Sequence, residues 1–191
     1  MRRLVVTQNI TLDGIVDNNR SWFDPTAETA QNREMQEVTA VHSAASDGFL
    51  VGRVTFEEMR GFWPQRTDDD TGVTGHLNRV AKYVVSRTLD DPGWAGTTVL
   101  RGDDRLAAEI GELKAQDGTD IVLTGSISLA HDLFRAGLVD EVRLFVYPVV
   151  LGEGRRLFPD GWAPPELTLA ESRTFSGGAL LLRYLLADQP A

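Results

Sequence analysis

Three short segments of this 191-residue chain join an apolar, strand-like run to small, hydroxylic and basic residues. They are Phe49-Leu50-Val51-Gly52-Arg53-Val54-Thr55, Tyr83-Val84-Val85-Ser86-Arg87-Thr88 and Val122-Leu123-Thr124-Gly125-Ser126-Ile127. Glycine lets a ligand approach the backbone, serine and threonine donate hydrogen bonds, and arginine offers a charged fork of donors. At the carboxyl ends of strands, where the next helix presents its N-terminus, such residues suit an anion and above all a phosphate. Any one segment could simply end a strand and cap a helix. Three of them, two with arginine at the strand exit, favour a built anion site. No G-x-G-x-x-G or Walker sequence occurs, so a conventional Rossmann or P-loop site is not indicated.

Other chemistries are poorly represented. The chain has no cysteine, which removes disulfides, thiolate nucleophiles and cysteine-ligated zinc. His42, His76 and His131 have no metal-like spacing and read as surface or capping residues. Nothing brings a serine, a histidine and an aspartate together, so no hydrolase triad is indicated. Asp68-Asp69-Asp70 reads as a solvated run. The net charge of −9 argues against nucleic acid binding through the overall field, and makes a local gathering of arginines the expected device for an anion. No stretch approaches the roughly 20 apolar residues of a membrane span, and the N-terminus lacks a signal-peptide core, so a cytoplasmic protein with no membrane partner is expected.

The elements that must position these residues alternate. Strands are expected at Leu4–Thr7, Phe49–Val51, Lys82–Ser86, Val99-Leu100, Asp120–Thr124 and Val142–Tyr147. Helices are expected over Thr29–Ala45, ending before Asp47-Gly48, and over Thr55–Arg60. Gly61–Gly75 reads as a polar loop, and a further helix lies near Gly75–Arg79. Asp103-Asp104 should cap a helix running to about Gln116. Gly125-Ser126 opens another lasting to Arg135, stopped by Gly137. Leu167–Phe175 and Ala179–Leu186 flank Gly177-Gly178 as a hairpin. The reading is a single α/β domain, 1–191: a mostly parallel central sheet with flanking helices and a C-terminal antiparallel hairpin.

The order of these pieces resembles the dihydrofolate reductase-like superfamily, most closely the RibD C-terminal domain family, the reductase part of bacterial riboflavin biosynthesis. The resemblance runs from about Leu4 to Leu186. It rests on Thr11-Leu12-Asp13-Gly14, Gly52-Arg53-Val54-Thr55-Phe56-Glu57, Leu123-Thr124-Gly125-Ser126, Gly137-Leu138-Val139-Asp140-Glu141-Val142, and Pro148-Val149-Val150-Leu151-Gly152-Glu153-Gly154 with Leu157-Phe158. It implies that Gly52, Arg53 and Thr55 sit at the phosphates of a dinucleotide. It places Ser86 and Arg87 at the adenosine ribose and its 2′-phosphate, which favours NADPH. Thr124, Gly125, Ser126 and the backbone of Ile127 would receive the pyrophosphate. Many dihydrofolate reductases carry Gly-Gly with a cis peptide where this chain has Gly125-Ser126.

On the substrate side the resemblance makes Asp13 the acidic candidate near the nicotinamide, although Asp13 is equally a turn residue before Gly14. Trp22 and Phe23 either wall the substrate pocket or pack ordinarily. Counting back from Gly52 places the pterin-holding position of dihydrofolate reductases at Gln36, and a neutral amide there disfavours that activity. Arg155 and Arg156 either meet a substrate phosphate or lie on the surface. The zinc deaminase half of the bifunctional riboflavin enzyme cannot exist without cysteine.

The function implied is NADPH-dependent reduction of a small heterocyclic or ribosylamino-pyrimidine-type substrate, similar to 5-amino-6-(5-phosphoribosylamino)uracil reductase. The alternatives are a non-catalytic nucleotide-sensing module and a dihydrofolate reductase with an altered substrate site. The resemblance also implies a homodimer. No metal is expected.

Overall fold

The computed structural model of the protein describes residues 1–17, 22–24, 27–66, 69, 71–164 and 166–187. Eight strands form one sheet: β1 (Leu4–Thr11), β2 (Ser46–Gly52), β3 (Ala81–Val85), β4 (Thr97–Leu100), β5 (Asp120–Leu123), β6 (Glu141–Tyr147), β7 (Leu167–Thr174) and β8 (Leu180–Leu186). Their order is β4-β3-β2-β5-β1-β6-β8-β7. The first six pair in parallel, while β8 runs antiparallel to both β6 and β7. This is the mostly parallel sheet with a C-terminal hairpin that the sequence implies. Gly178, with φ of 86°, makes the tight return, and Phe175 N–H donates to the Ala179 carbonyl at 2.9 Å.

Helices cover both faces. On one, α4 (Leu106–Ala115) and α5 (Ile127–Arg135) pack Ile110, Leu129 and Leu133 onto Leu4, Val6, Leu50 and Leu123. On the other, α1 (Ala30–Ala44) sets Met35 and Val38 on Phe145, Tyr147 and Leu181. Beside it, α2 (Arg53–Phe62) and α3 (Val73–Arg79) bury Phe56 and Leu77 against Phe49, Val51 and Val84. Alternation along the strands produces this division: successive side chains of β1 and β2 enter different layers.

Several boundaries differ from the sequence reading for identifiable reasons. α1 stops at Ala45, and Asp47-Gly48 belong to β2, where Asp47 pairs with Arg2. Gly48 makes room for Arg2: a Cβ there would lie 2.6 Å from its guanidinium. Asp103 and Asp104 lie in a short 3₁₀ turn, and neither caps α4 with its side chain. Glu109 instead reaches back to accept the N–H groups of Arg101 (3.1 Å) and Gly102 (2.9 Å). α2 extends through Gly61 and Phe62, and α3 begins at Val73, which shortens the expected loop. Asp69 is no mere solvated charge, since it accepts the Thr74 N–H at 2.7 Å and the Thr71 N–H at 3.0 Å. Asp68 and Asp70, like Asn18 and Asn19 of the first loop, lie outside the described residues.

Candidate functional site

After β5 the chain leaves toward the face of α5, whereas after β1 and β2 it leaves toward the face of α1 and α2. Neighbouring strands whose connections part in this way leave a crevice at their carboxyl ends. β1 pairs with β5 only from Leu4 to Val6 but continues beside β6 to Thr11. The Arg3 carbonyl accepts the Ile121 N–H at 2.8 Å, so odd-numbered residues of β1 turn their backbone groups toward β5. Asn9 lies beyond the end of that pairing. Its backbone therefore faces the crevice rather than a strand.

The expected anion-binding residues converge here. The Gly52 N–H donates to Ser126 Oγ at 2.8 Å, and the Ser126 N–H donates to Thr55 Oγ1 at 3.2 Å. The Gly125 N–H donates to Gln8 Oε1 at 3.1 Å. These bonds stitch the starts of α2 and α5 together beside β1. Gly125 (φ 64°) and Ser126 (φ 51°) both adopt the left-handed region, and a Cβ on Gly125 would lie 3.2 Å from the Thr55 methyl. No peptide bond among the described residues is cis, so two left-handed residues make this turn. Neither helix has a side-chain cap or an acid in its first turn, which leaves two positive dipole ends side by side. Ile127 opens α5, and Thr124 is half-buried at the exit of β5.

The other expected cofactor residues stand around this junction. α2 begins at Arg53 rather than Thr55, and Arg53 pairs with Glu57 one turn on at 2.8 Å. Val85 pairs in register with Gly52, so Ser86 and Arg87 leave the sheet at the same edge. Ser86 is buried and accepts the N–H groups of Thr88 (3.2 Å) and Leu89 (3.0 Å). Arg87 has a 74% exposed side chain, 3.4 Å from the exposed Asp103.

At the ends of β1 and β6, two segments far apart in sequence clamp each other. Asp13 accepts the Thr11 hydroxyl at 2.6 Å and the N–H groups of Leu151 (3.2 Å) and Gly152 (2.8 Å). The Thr11 hydroxyl and the Gly152 amide hold its carboxyl below the usual range, so it is an ionised acceptor at neutral pH. Arg155 pairs with Asp17 at 2.5 Å, and Arg156 donates to the Asp13 carbonyl at 2.8 Å. Trp22 and Phe23 stand edge-on to Tyr147, with ring centroids 5.2 and 5.5 Å away. Gln36 does not join this group, because it lies on the exposed side of α1. One step of about 100° separates it from Met35, whose Sδ accepts the Tyr147 hydroxyl at 3.6 Å.

The sequence reading missed Thr7-Gln8-Asn9, three polar residues left partly exposed in a central strand. A polar triplet inside an otherwise β-branched run was the available signal. Two open cavities lie away from the crevice, one of about 360 Å³ beside Trp162 and one of about 460 Å³ between α1 and a group of arginines. The second sits at the opposite pole of the sheet, by the starts of β5 and β6. Neither cavity coincides with the crevice where the glycines and helix N-termini meet. No cluster of histidine and acidic residues that could hold a metal occurs among the described residues, and no described helix is long and apolar enough to cross a membrane.

The sequence profile of the RibD C-terminal domain matches residues 2–181. The chain belongs to that family. It is 31% identical to the uncharacterized protein YyaP of Bacillus subtilis over 96% of this chain and 94% of that one. The fold is similar to a pyrimidine reductase-like protein of Corynebacterium diphtheriae, with a TM-score of 0.69, 14% identity, and coverage of 98% of this chain and 93% of that one. It is also similar to the diaminohydroxyphosphoribosylaminopyrimidine deaminase/5-amino-6-(5-phosphoribosylamino)uracil reductase of Thermotoga maritima (TM-score 0.63, 16% identity). There the match covers 97% of this chain and 57% of the larger protein.

Proposed function

We propose that this member of the RibD C-terminal domain family is an NADPH-dependent reductase of a small heterocyclic or ribosylamino-pyrimidine-type compound. The observation that carries the reading is the Gly52/Thr55–Gly125/Ser126 junction. Two uncapped helix N-termini, brought side by side where Gly125 packs closely on Thr55, fit a pyrophosphate. The backbone of Asn9, facing the crevice, offers an N–H and a C=O to a planar carboxamide. Arg87 can turn from Asp103 to a 2′-phosphate, which favours NADPH over NADH. When bound, the dihydronicotinamide would supply a hydride to the carbon of a C=N or C=O bond, while the heteroatom takes a proton and NADP⁺ remains. This chain's residues orient the rings and exclude water. Asp13, already ionised and spent on two amides, is a positioning group for the loops rather than the proton source.

That spent carboxylate favours a second reading, a nucleotide sensor without turnover. Titration with NADPH and NADH, followed by nucleotide fluorescence, tests the shared binding step. Tighter NADPH binding, lost in Arg87→Ala, supports the site, and no binding of either nucleotide to folded protein refutes it. Steady oxidation of NADPH by a substrate then excludes the sensor. We also propose a homodimer: β7 is an edge strand exposed along its length, with Leu167 and Leu169 40% and 51% exposed. Sedimentation showing only monomer at micromolar concentration would refute pairing.

A further inference from the structure

We propose that Gln8 is a positioning residue of the dinucleotide site, holding the Gly125–Ser126 turn with its carbonyl and turning its amide hydrogens to the ligand. The inference rests on the NADPH reading and adds a residue to that site. β5 lies between β1 and β2, and its pairing with both ends at Leu123. Beyond Leu123 side chains take over from both sides. Gln8 of β1 accepts the Gly125 N–H at 3.1 Å, and Thr55 of α2 accepts the Ser126 N–H at 3.2 Å. Gly125 and Ser126 both adopt the left-handed region, which a serine keeps only where its surroundings hold it there. Successive residues of β1 face opposite ways, and Leu4, Val6 and Ile10 pack in one layer with Ile127 and Leu129 of α5. Gln8 shares their face, so its side chain reaches the entry to α5.

A backbone N–H can only donate, so this bond fixes which way the Gln8 amide points. Its oxygen faces Gly125, and its NH₂ group is turned away with two hydrogens. Neither hydrogen bonds to a described residue, and the nitrogen is not sealed from solvent. The same reasoning applies to the hydroxyls beside it. Ser126 Oγ accepts the Gly52 N–H at 2.8 Å, and Thr55 Oγ1 accepts the Ser126 N–H, so each keeps its own O–H to donate. Neither O–H meets an acceptor among the described residues. Three neutral side chains therefore hold unspent donors at one junction, and the first turns of α2 and α5 carry no acid. A ligand group rich in acceptors, such as a phosphate, completes such a set. Asn9 follows Gln8 in the chain and offers its backbone to the carboxamide. A dinucleotide lying from Asn9 to Gly125 passes the Gln8 amide on the way.

Gln8→Glu separates holding from donating. A carboxylate still accepts the Gly125 N–H, more strongly than an amide does, but it brings a negative charge and no hydrogen to the phosphates. Its Tm should stay within about 2 °C of wild type. NADPH, followed by nucleotide fluorescence, should bind it about tenfold more weakly or worse. Gln8→Met loses both roles, and should lower Tm by about 2–4 °C and weaken NADPH as well. A purely structural glutamine predicts instead that affinity follows Tm, so that Gln8→Glu restores both. The second readout uses wild type alone: in proton–nitrogen correlation spectra the Gln8 NH₂ pair should shift on saturation with NADP⁺. If Gln8→Glu fails to fold, those spectra decide. NADPH affinity in folded Gln8→Glu within about twofold of wild type, or an NH₂ pair that NADP⁺ leaves in place, overturns the inference and spares the cofactor reading. Failure of wild type to bind either nucleotide overturns the cofactor reading and this inference with it.

Discussion

Glu141→Gln tests the energetics of the sheet directly. The Glu141 side chain is 0% exposed and accepts from three guanidinium groups: Arg143 Nε at 2.6 Å, Arg183 Nε at 2.8 Å and Arg3 Nη1 at 3.0 Å. With Asp120 and Glu171 it balances three arginines by three carboxylates. Glutamine keeps the volume but removes one charge and turns an NH₂ group toward a cation. Breaking a buried pair of this kind costs about 3–5 kcal/mol. Arg3 and Arg183 keep 47% and 23% of their side chains in water, so the lower end, about 3 kcal/mol, is expected. For a chain of this length that lowers Tm by roughly 6–12 °C. Burial raises the Glu141 carboxyl, but the bonds from Arg183 and Arg143 outweigh it and leave it below the usual range. A depressed folded value contributes stability above the unfolded one, near 4.5, that is lost as pH falls through the folded value. Thermal melts by circular dichroism should show a constant gap between wild type and variant above about pH 5. Below that the gap should narrow as wild-type Glu141 protonates. A shift under about 2 °C at pH 7, or a gap that widens in acid, would refute the reasoning.

Other outcomes follow from the same geometry. Burial, then Arg143 and Arg183, lower His42 from 6.5 to about 4. Wild type should therefore lose stability relative to His42→Gln as pH falls from about 6.5 toward 4, by at most roughly 3 kcal/mol and less because the adjoining cavity admits water. Urea melts across that range check it, and a pH-independent difference would count against it. Ser126→Ala loses the bond to Gly52 yet keeps a Cβ in the left-handed region, whereas Ser126→Gly loses the bond and relieves the backbone. Chemical denaturation should find the glycine variant more stable by about 1 kcal/mol, with NADPH affinity weakened in both. Asp13→Ala should lower Tm and raise KM by loosening the two loops, without moving the pH profile of kcat. A lost ionisation in that profile would show Asp13 to be the proton donor instead.

Local signals made much of the fold legible. α1 spans Ala30–Ala44, within a residue of the expected bounds at each end, and Gly52 closes β2 as a strand-exit glycine should. The polar triplet Thr7-Gln8-Asn9 looked like the end of a strand because its partner β6 lies more than 130 residues away. Glu141 and Arg143 gave no hint of burial, since what permits it is pairing with Arg3, Asp120 and Arg183. Gln36 shows the limit of counting along a helix: one residue turns the side chain by about 100°, from Tyr147 to solvent. Asp13 was legible as a turn residue, but its acceptance of the Leu151 and Gly152 amides was not.

The two poles of the sheet explain each other. Arg3, Asp120 and Glu141 tie β1, β5 and β6 together at the ends where these strands begin. Six residues farther along β1, at Asn9, β5 has gone, and the opening is spanned by one long side chain from Gln8 to the Gly125 amide. A strand pair only three residues long would be a weak joint in the middle of a sheet. The ionic tie concentrates its cohesion at one end and leaves the other free to part. The crevice can then be lined by glycine, hydroxyl and amide groups that contribute little packing of their own. On this account Glu141→Gln should weaken nucleotide binding as well as stability, although Glu141 lies at the opposite pole from the proposed site.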